Sequence, residues 1–380
     1  SATGRGGTNP MQIGLGLGIN AVDTIMTRGS LMRTDNPTDM SIEGDGFFIC
    51  KGGANDTFKF TRAGNFGLDR LGNLVTSGGL NVYGWQKLKT DGSGEFDTES
   101  EIEPINLYAD AYRNKRIIPA KETTFVKLSG NLDASREKVN DPANITDKDK
   151  FLVPVTVYDK LGNSYKVNIE FYKSDISGNT TSWKWTVVPE GGMTVDAAAN
   201  GGTLQFNEKG EIKNAATPVE ITLTPPAGSG TDAIKVNFDF SKVTMFAADD
   251  SVKPTDVDGY SSGNLVSFSI GSNGVLTGIY DNGQQQDLAL IALSGFENPA
   301  GLQKVGDNMY IPSTNSGEYK PSKPGSNGVG MLNPGTLEMS NVDLSKEFTD
   351  MIVTQRGFQA NSRIITTSDE MLQELVNLKR

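Results

Sequence analysis

The sequence contains no histidine and a single cysteine. Without histidine, the commonest general base and the commonest metal ligand are both missing. A zinc site would have to be built almost entirely from carboxylates, a poor donor set for that ion. No internal disulfide is possible, and Cys50 lies in the apolar run Phe47-Phe48-Ile49-Cys50, where a buried thiol is expected. Such sparing cysteine use fits a cytoplasmic protein or one exported without oxidative folding. No stretch approaches the ~20 apolar residues of a membrane helix, so no membrane insertion is expected. A dense Lys/Arg cluster is also missing, and the net charge is -11. Phosphate backbones require the opposite sign, which argues against nucleic acid as a partner. The chain opens Ser1-Ala2-Thr3-Gly4, with neither methionine nor a charged-then-apolar leader. This start reads as a removed leader or as a fragment.

Motifs that carry chemistry are equally scarce. Gly259-Tyr260-Ser261-Ser262-Gly263 matches G-x-S-x-G, but a nucleophile elbow needs a strand–turn–helix setting and a histidine partner. Gly14, Gly16 and Gly18 alternate without the spacing of a dinucleotide-binding turn. Asp256-Val257-Asp258-Gly259 resembles part of a calcium loop, yet Pro254 stands where an acidic ligand is required and no glutamate closes the loop. A turn at a domain boundary is the better reading. No catalytic residue, metal ligand or cofactor is assigned, and the chain reads as an assembly subunit rather than an enzyme.

What the chain has in quantity is turn chemistry. Its 44 glycines and 16 prolines favour many short strands over a helical bundle. Residues 1–35 alternate Met11, Ile13, Leu15, Leu17 and Ile19 among glycines and read as an extended segment. Residues 40–90 read as short strands. Asp45-Gly46 and Asp69-Arg70-Leu71-Gly72-Asn73 supply turns, and the second turn recurs as Asp159-Lys160-Leu161-Gly162-Asn163. Both five-residue segments lie between apolar runs and read as hairpin tips. Residues 121–255 read as a separate β sandwich or barrel, with Val153, Val155 and Val157, then Val167, Ile169 and Phe171, then Trp183, Trp185 and Val187 on inward-facing positions. Pro154 and Pro189 point to edge positions there. Residues 257–335 return to short strands: Val266, Phe268 and Ile270 alternate, Asn273-Gly274 forms a turn, and Leu288 to Leu293 is a buried strand. Residues 312–335 read as loop.

The final segment, Ser340 to Arg380, reads as a long amphipathic helix. Ser340 is the expected N-cap, with Asp343 favouring the helix start and Lys379 and Arg380 its end. Leu344, Phe348, Met351, Phe358, Ile365, Leu372 and Val376 follow steps of three, four or seven, and Ile364, Met371, Leu375 and Leu378 widen the stripe. Gln355, Ser362 and Asp369 interrupt a regular zipper. A helix of about 55 Å is longer than one small β domain can cover, so part of its face needs a partner.

Several blocks in this order resemble flagellar axial proteins, the family of rod, hook and hook-associated subunits. Ser340-Asn341-Val342-Asp343-Leu344-Ser345-Lys346-Glu347-Phe348 and Gln355-Arg356-Gly357-Phe358-Gln359-Ala360-Asn361-Ser362-Arg363 are similar to its C-terminal signature. Glu43-Gly44-Asp45-Gly46-Phe47-Phe48 and Phe60-Thr61-Arg62-Ala63-Gly64-Asn65-Phe66 are similar to its first blocks, and Gly330 to Pro334 to the lead-in of its terminal helix. The insertion at 121–255, with Val155 to Asn163, looks like the outer domain of the hook members. The resemblance implies a mainly β fold of two β domains plus a C-terminal helix. The inner domain would comprise 1–120 and 256–335, the inserted outer domain 121–255, and the inner-tube helix 336–380.

The resemblance further implies a structural subunit of a flexible, curved tube that transmits torque from rod to filament. Its partners would be copies of itself in a helical homopolymer, the rod and hook–filament junction proteins, and the hook cap during assembly. Its location would be the extracellular hook, reached through the flagellar export apparatus without a cleaved leader. Family members begin with a helix that pairs with the terminal one; this chain lacks it and reads as trimmed. Gly357 would mark a close helix approach. A rod protein with an unusual insertion is one alternative. A secreted carbohydrate-binding or adhesive β protein is another, with Trp183 and Trp185 as its stacking candidates, although core burial fits their spacing better.

Overall fold

Period-two alternation folds the middle of the chain into two facing sheets. In the computed structural model, which describes residues 18–378 apart from 21, 23, 54–55, 112–113, 140–144, 147, 198 and 215–217, one sheet has the order Phe151–Tyr158, Ser164–Ser177, Thr180–Pro189, Gly201–Phe206. The other runs Thr194–Val195, Val219–Thr224, Ile234–Phe246, Phe125–Asp133, Lys253–Val257. Val155, Ile169, Trp183 and Trp185 from the first sheet meet Val126, Leu128, Phe238 and Phe240 from the second in one core. Trp183 and Trp185 are buried, with the Trp185 ring 4.6 Å from that of Phe240 and Trp183 Nε1 donating to Met245 Sδ at 3.3 Å. Neither can stack on a sugar. Pro154 lies in an edge strand, Phe151–Tyr158. Pro189 lies in an interior strand, but past the last residue paired with Gly201–Phe206. In both places the missing N–H leaves no ladder bond unmade.

The flanking segments share a larger sheet. Phe47–Lys51, Lys59–Thr61, Asn81–Trp85, Val275–Tyr280 and Gln285–Ile291 are among its strands. Successive side chains of a strand point to opposite faces, so Phe48 and Cys50 enter one core with Val82, Ile105 and Leu276, while Phe47 and Ile49 enter another with Phe60, Trp85 and Leu290. Cys50 is fully buried, and that burial pushes its thiol up to about 12, which leaves it inert.

The two Asp-x-Leu-Gly-Asn segments adopt one geometry. Asp69 Oδ1 accepts from Leu71 N and Asn73 N at 2.9 and 2.7 Å, and Asp159 Oδ1 accepts from Leu161 N and Asn163 N at 2.9 Å each. Gly72 and Gly162 take φ of 87° and 88°, a left-handed conformation that glycine adopts at least cost. Both are hairpin tips. The second has a further role: it packs on the joint between sandwich and inner sheet, where Lys121 and Tyr260 form an antiparallel bridge. A Cβ on Gly162 would come 2.9 Å from Ala120 Cβ. The Asp256–Gly259 segment is part of this joint. Asp258 accepts from Thr124 N, Thr124 Oγ1, Phe125 N and Lys121 Nζ at 2.7–3.2 Å. The G-x-S-x-G match continues it between the strands Lys253–Val257 and Gly263–Ile270, with no helix to form an elbow.

Several expectations need correction. The stretch 312–335 carries the strands Lys320–Ser322 and Met331–Pro334, each paired along one side only, which accommodates Pro321 and Pro334. Val266 is exposed because a bulge between Leu265 and Ser267 breaks the alternation. The Asp45-Gly46 turn is as expected: it leads the chain from Met40–Glu43, paired with Met331–Pro334, into the larger sheet. Met11, Ile13, Leu15 and Leu17 lie outside the described residues, as do Lys379 and Arg380. Ile19 is exposed, and only Leu31–Arg33 of the first 35 residues forms a described strand, antiparallel to Thr336–Glu338. That pairing also removes the start of the 336–380 segment from the helix.

Candidate assembly interface

The helix α1 spans Leu344–Asn377, 34 residues and about 51 Å. Its N-cap is Asp343, not Ser340: Asp343 Oδ1 accepts from Ser345 N and Lys346 N at 2.9 and 3.3 Å, while Ser340 Oγ accepts from Val342 N. The carboxylate also meets the positive end of the helix dipole, an advantage over a hydroxyl.

No described residue of α1 is buried. Leu344, Phe348, Met351, Phe358, Ile364, Ile365, Met371, Leu372, Leu375 and Val376 are all between 52% and 70% exposed. Ile352 and Val353, which the stripe did not include, are exposed too. Thus the structure places the stripe residues on one element, with Leu378 exposed at its C-cap, and brings none of them against another. A Cβ on Gly357 would meet nothing within 4 Å. An isolated helix of this kind draws little stability from itself, because helices in proteins are held mainly by packing of the apolar face.

The foot of the helix is the opposite case. Arg62 Nε donates to Glu338 Oε2 at 2.9 Å, and its Nη atoms donate to the carbonyls of Gly46 and Gly44 at 3.0 and 3.1 Å. Glu338 Oε1 accepts from Gly29 N at 3.1 Å. Four separate segments, at Gly29, Gly44–Gly46, Arg62 and Glu338, therefore meet on one ion pair, which is largely shielded from water. One step along, Asn341 Nδ2 donates to the carbonyls of Ile25 and Thr27 at 3.2 and 2.9 Å. Close approach seals this ribbon: a Cβ on Gly29 would lie 1.8 Å from Met339 O. Arg62 and Asn341 stand in the family-like blocks, but their pairing across the chain has no local sequence signal.

The segment that holds the foot and helix is similar in sequence to known proteins. Residues 333–378, the foot and helix, match the family "Flagellar basal body rod FlgEFG protein C-terminal". Residues 131–260 match "Flagellar basal body protein FlaE D2 domain", and 41–114 match "Flagellar hook protein FlgE/F/G D1 domain". Flagellar hook protein FlgE of Treponema pallidum is 37% identical over 414 residues, covering 99% of this chain and 87% of its own. The chain belongs to the flagellar hook protein family. The hook protein of Borreliella burgdorferi is also 37% identical, with 99% and 87% covered, and that of Salmonella typhimurium is 31% identical, with 97% and 89% covered. The crystal structure of Helicobacter pylori flagellar hook protein FlgE2 superposes with a TM-score of 0.52 at 16% identity, over 81% of this chain and 100% of that one. That likeness is one of fold: mainly β strands, as here, where the one α-helix among the described residues is C-terminal. Among the described residues, no cluster of three metal-binding side chains occurs and no helix is long and apolar enough to cross a membrane.

Proposed function

We infer that the chain is a structural subunit of the bacterial flagellar hook, polymerising into the curved tube that passes torque from rod to filament. The observation that carries this reading is α1: a helix with no buried residue, rooted in a foot that the fold holds firmly. Such a face gains stability by packing on further apolar surface, here the helices of neighbouring copies. Copies of the chain are its main partners, with rod, junction and cap proteins at the ends of the polymer and passage through the flagellar export apparatus before assembly. The work is mechanical rather than catalytic.

The residues support a division of labour. The α1 stripe would make dry, permanent contacts in an inner tube, with a neighbouring helix approaching closely at Gly357. The sandwich at 121–255 would form an outer layer with wetter contacts, better suited to sliding as a bent tube turns. The joint offers a clean test, because the bridge between Lys121 and Tyr260 holds the two cut ends together. Excising the sandwich there and closing the gap with a short turn is expected to leave tube formation intact and to change curvature or stiffness, read by electron microscopy. Complete loss of assembly would overturn the assignment of inner and outer roles.

A further inference from the structure

We propose that the hairpin tip Arg70-Leu71 of one copy docks in an aromatic, acidic groove of the next copy, making a head-to-tail contact outside the helical tube. The inference rests on the reading above that the chain polymerises. The groove has a volume of about 1320 Å³ and lies beside the strands Phe47–Lys51 and Asn81–Trp85. Phe58, Tyr83 and Tyr319 wall it, with the Phe58 ring 5.2 and 5.4 Å from the other two. Glu99, Glu101 and Glu318 line its mouth, exposed and in no ion pair among the described residues. Lys51, the one lysine in the lining, sits 4.9 Å above the Phe58 ring, so the aromatic wall already receives a cation on one side. Three carboxylates against one ammonium leave the groove suited to a cationic side chain with apolar surface beside it.

The tip supplies that chemistry. Leu71 is 73% exposed, and the Arg70 guanidinium, also exposed, has no ion-pair partner among the described residues. The twin tip at Lys160-Leu161 is already engaged, with Lys160 Nζ 3.8 Å from Glu122 and 4.0 Å from Asp232. The Asp69 turn, seated on Asn106 through the Leu71 carbonyl, leaves the Arg70 and Leu71 side chains in solvent.

Placement favours a second copy over a fold-back within the chain. Phe66, Leu68 and Leu74 of the tip's hairpin pack with Phe48, Cys50 and Val82 on one face of the sheet. Phe58, Tyr83 and Tyr319 of the groove pack with Phe47, Ile49 and Trp85 on the other. Knob and hole thus sit on opposite faces of one sheet. A contact between two different surfaces gives a ring if its rotation closes and a helical polymer if it does not; the second is what a tube requires.

Two experiments on polymer assembled from the full chain test this. Leu71→Cys combined with Thr314→Cys, at the groove, is expected to give a ladder of covalent multimers after mild oxidation, with none from either single variant; the buried Cys50 stays silent. Separately, Arg70→Glu is expected to raise the concentration needed for assembly about tenfold, and adding Glu101→Arg in the same chain to recover most of that loss. Polymer that forms with no ladder, or an Arg70→Glu chain that assembles at the unchanged concentration, overturns the contact and leaves the hook reading standing. Failure of the full-length protein, carrying any residues that precede Ser1, to polymerise at all defeats the hook reading, and the contact with it.

Discussion

Trp185 in the sandwich and Phe358 in α1 are large aromatic residues on regular apolar patterns, yet one is 1% exposed and the other 68%. The sandwich finishes its core within one copy, because two sheets supply two inner faces to each other. The helix supplies a single stripe, and no described part of the fold covers it. Burying a large aromatic side chain is worth roughly 3 kcal/mol, so the sandwich draws that energy on folding, whereas α1 leaves it undrawn in the single chain and, on the proposed reading, releases it on association. On the proposed reading, folding and assembly are separated along the chain, and substitutions in the two regions should report on different equilibria.

The largest expected effect is the contrast itself. Trp185→Ala should cost about 3–5 kcal/mol of sandwich stability, read as a lower denaturation midpoint. Phe358→Ala should move the midpoint of the isolated chain by less than about 0.5 kcal/mol while sharply weakening polymerisation. A Phe358→Ala chain that assembles normally would break the comparison.

Next is the buried Asp159. Burial raises its pKa, but hydrogen bonds from Asn163, Tyr165 and Thr231 outweigh that effect and hold it below the ordinary carboxylate value. For Asp258 burial likewise opposes, and the donors of Thr124, Phe125 and Lys121 prevail. A carboxylate with a depressed folded pKa contributes stability that is full above its unfolded pKa, about 4, and is lost as pH falls through the lower folded value. Sandwich stability should therefore decline below about pH 4. Asp159→Ala should cost about 2–3 kcal/mol at neutral pH and flatten that decline, as urea titrations across pH would show.

A smaller effect is expected at the helix foot, where Arg62→Ala leaves Glu338 and two carbonyls without their donor. About 1–2 kcal/mol of local stability should be lost, seen as faster amide exchange at Gly29 and Met339 with the sandwich unchanged. The smallest effect sharpens the role of Gly357. Gly357→Ala should stabilise α1 in the isolated chain by about 1 kcal/mol, measurable as helicity. Gly357→Leu should leave the isolated chain folded but block polymerisation, and normal polymer from it would remove the close helix approach.

Local patterns made much of the fold legible. Trp183 and Trp185 two apart, Pro154 within an alternating strand and the repeated Asp-x-Leu-Gly-Asn turns all act over a few residues, so sequence spacing expresses them directly. The apolar stripe of α1 was legible for the same reason. Its cap was displaced from Ser340 to Asp343 because Thr336–Glu338 pairs with Leu31–Arg33, an event some 300 positions away. The exposure of Val266 likewise depends on a bulge that alternation alone cannot register.

The sequence by itself determined that the chain is mainly β, that it carries a terminal helix, and that this helix exceeds what its own domain could cover; each follows from periodicity and turn chemistry over short range. Only the tertiary structure decided that Arg62 meets Glu338 across 276 positions, that one of two closely similar turns braces the joint while the other packs on the Asn106–Tyr108 segment, and that knob and groove lie on opposite faces of one sheet. Those outcomes depend on long-range strand pairing, where one register among many is selected by the summed burial of the whole core.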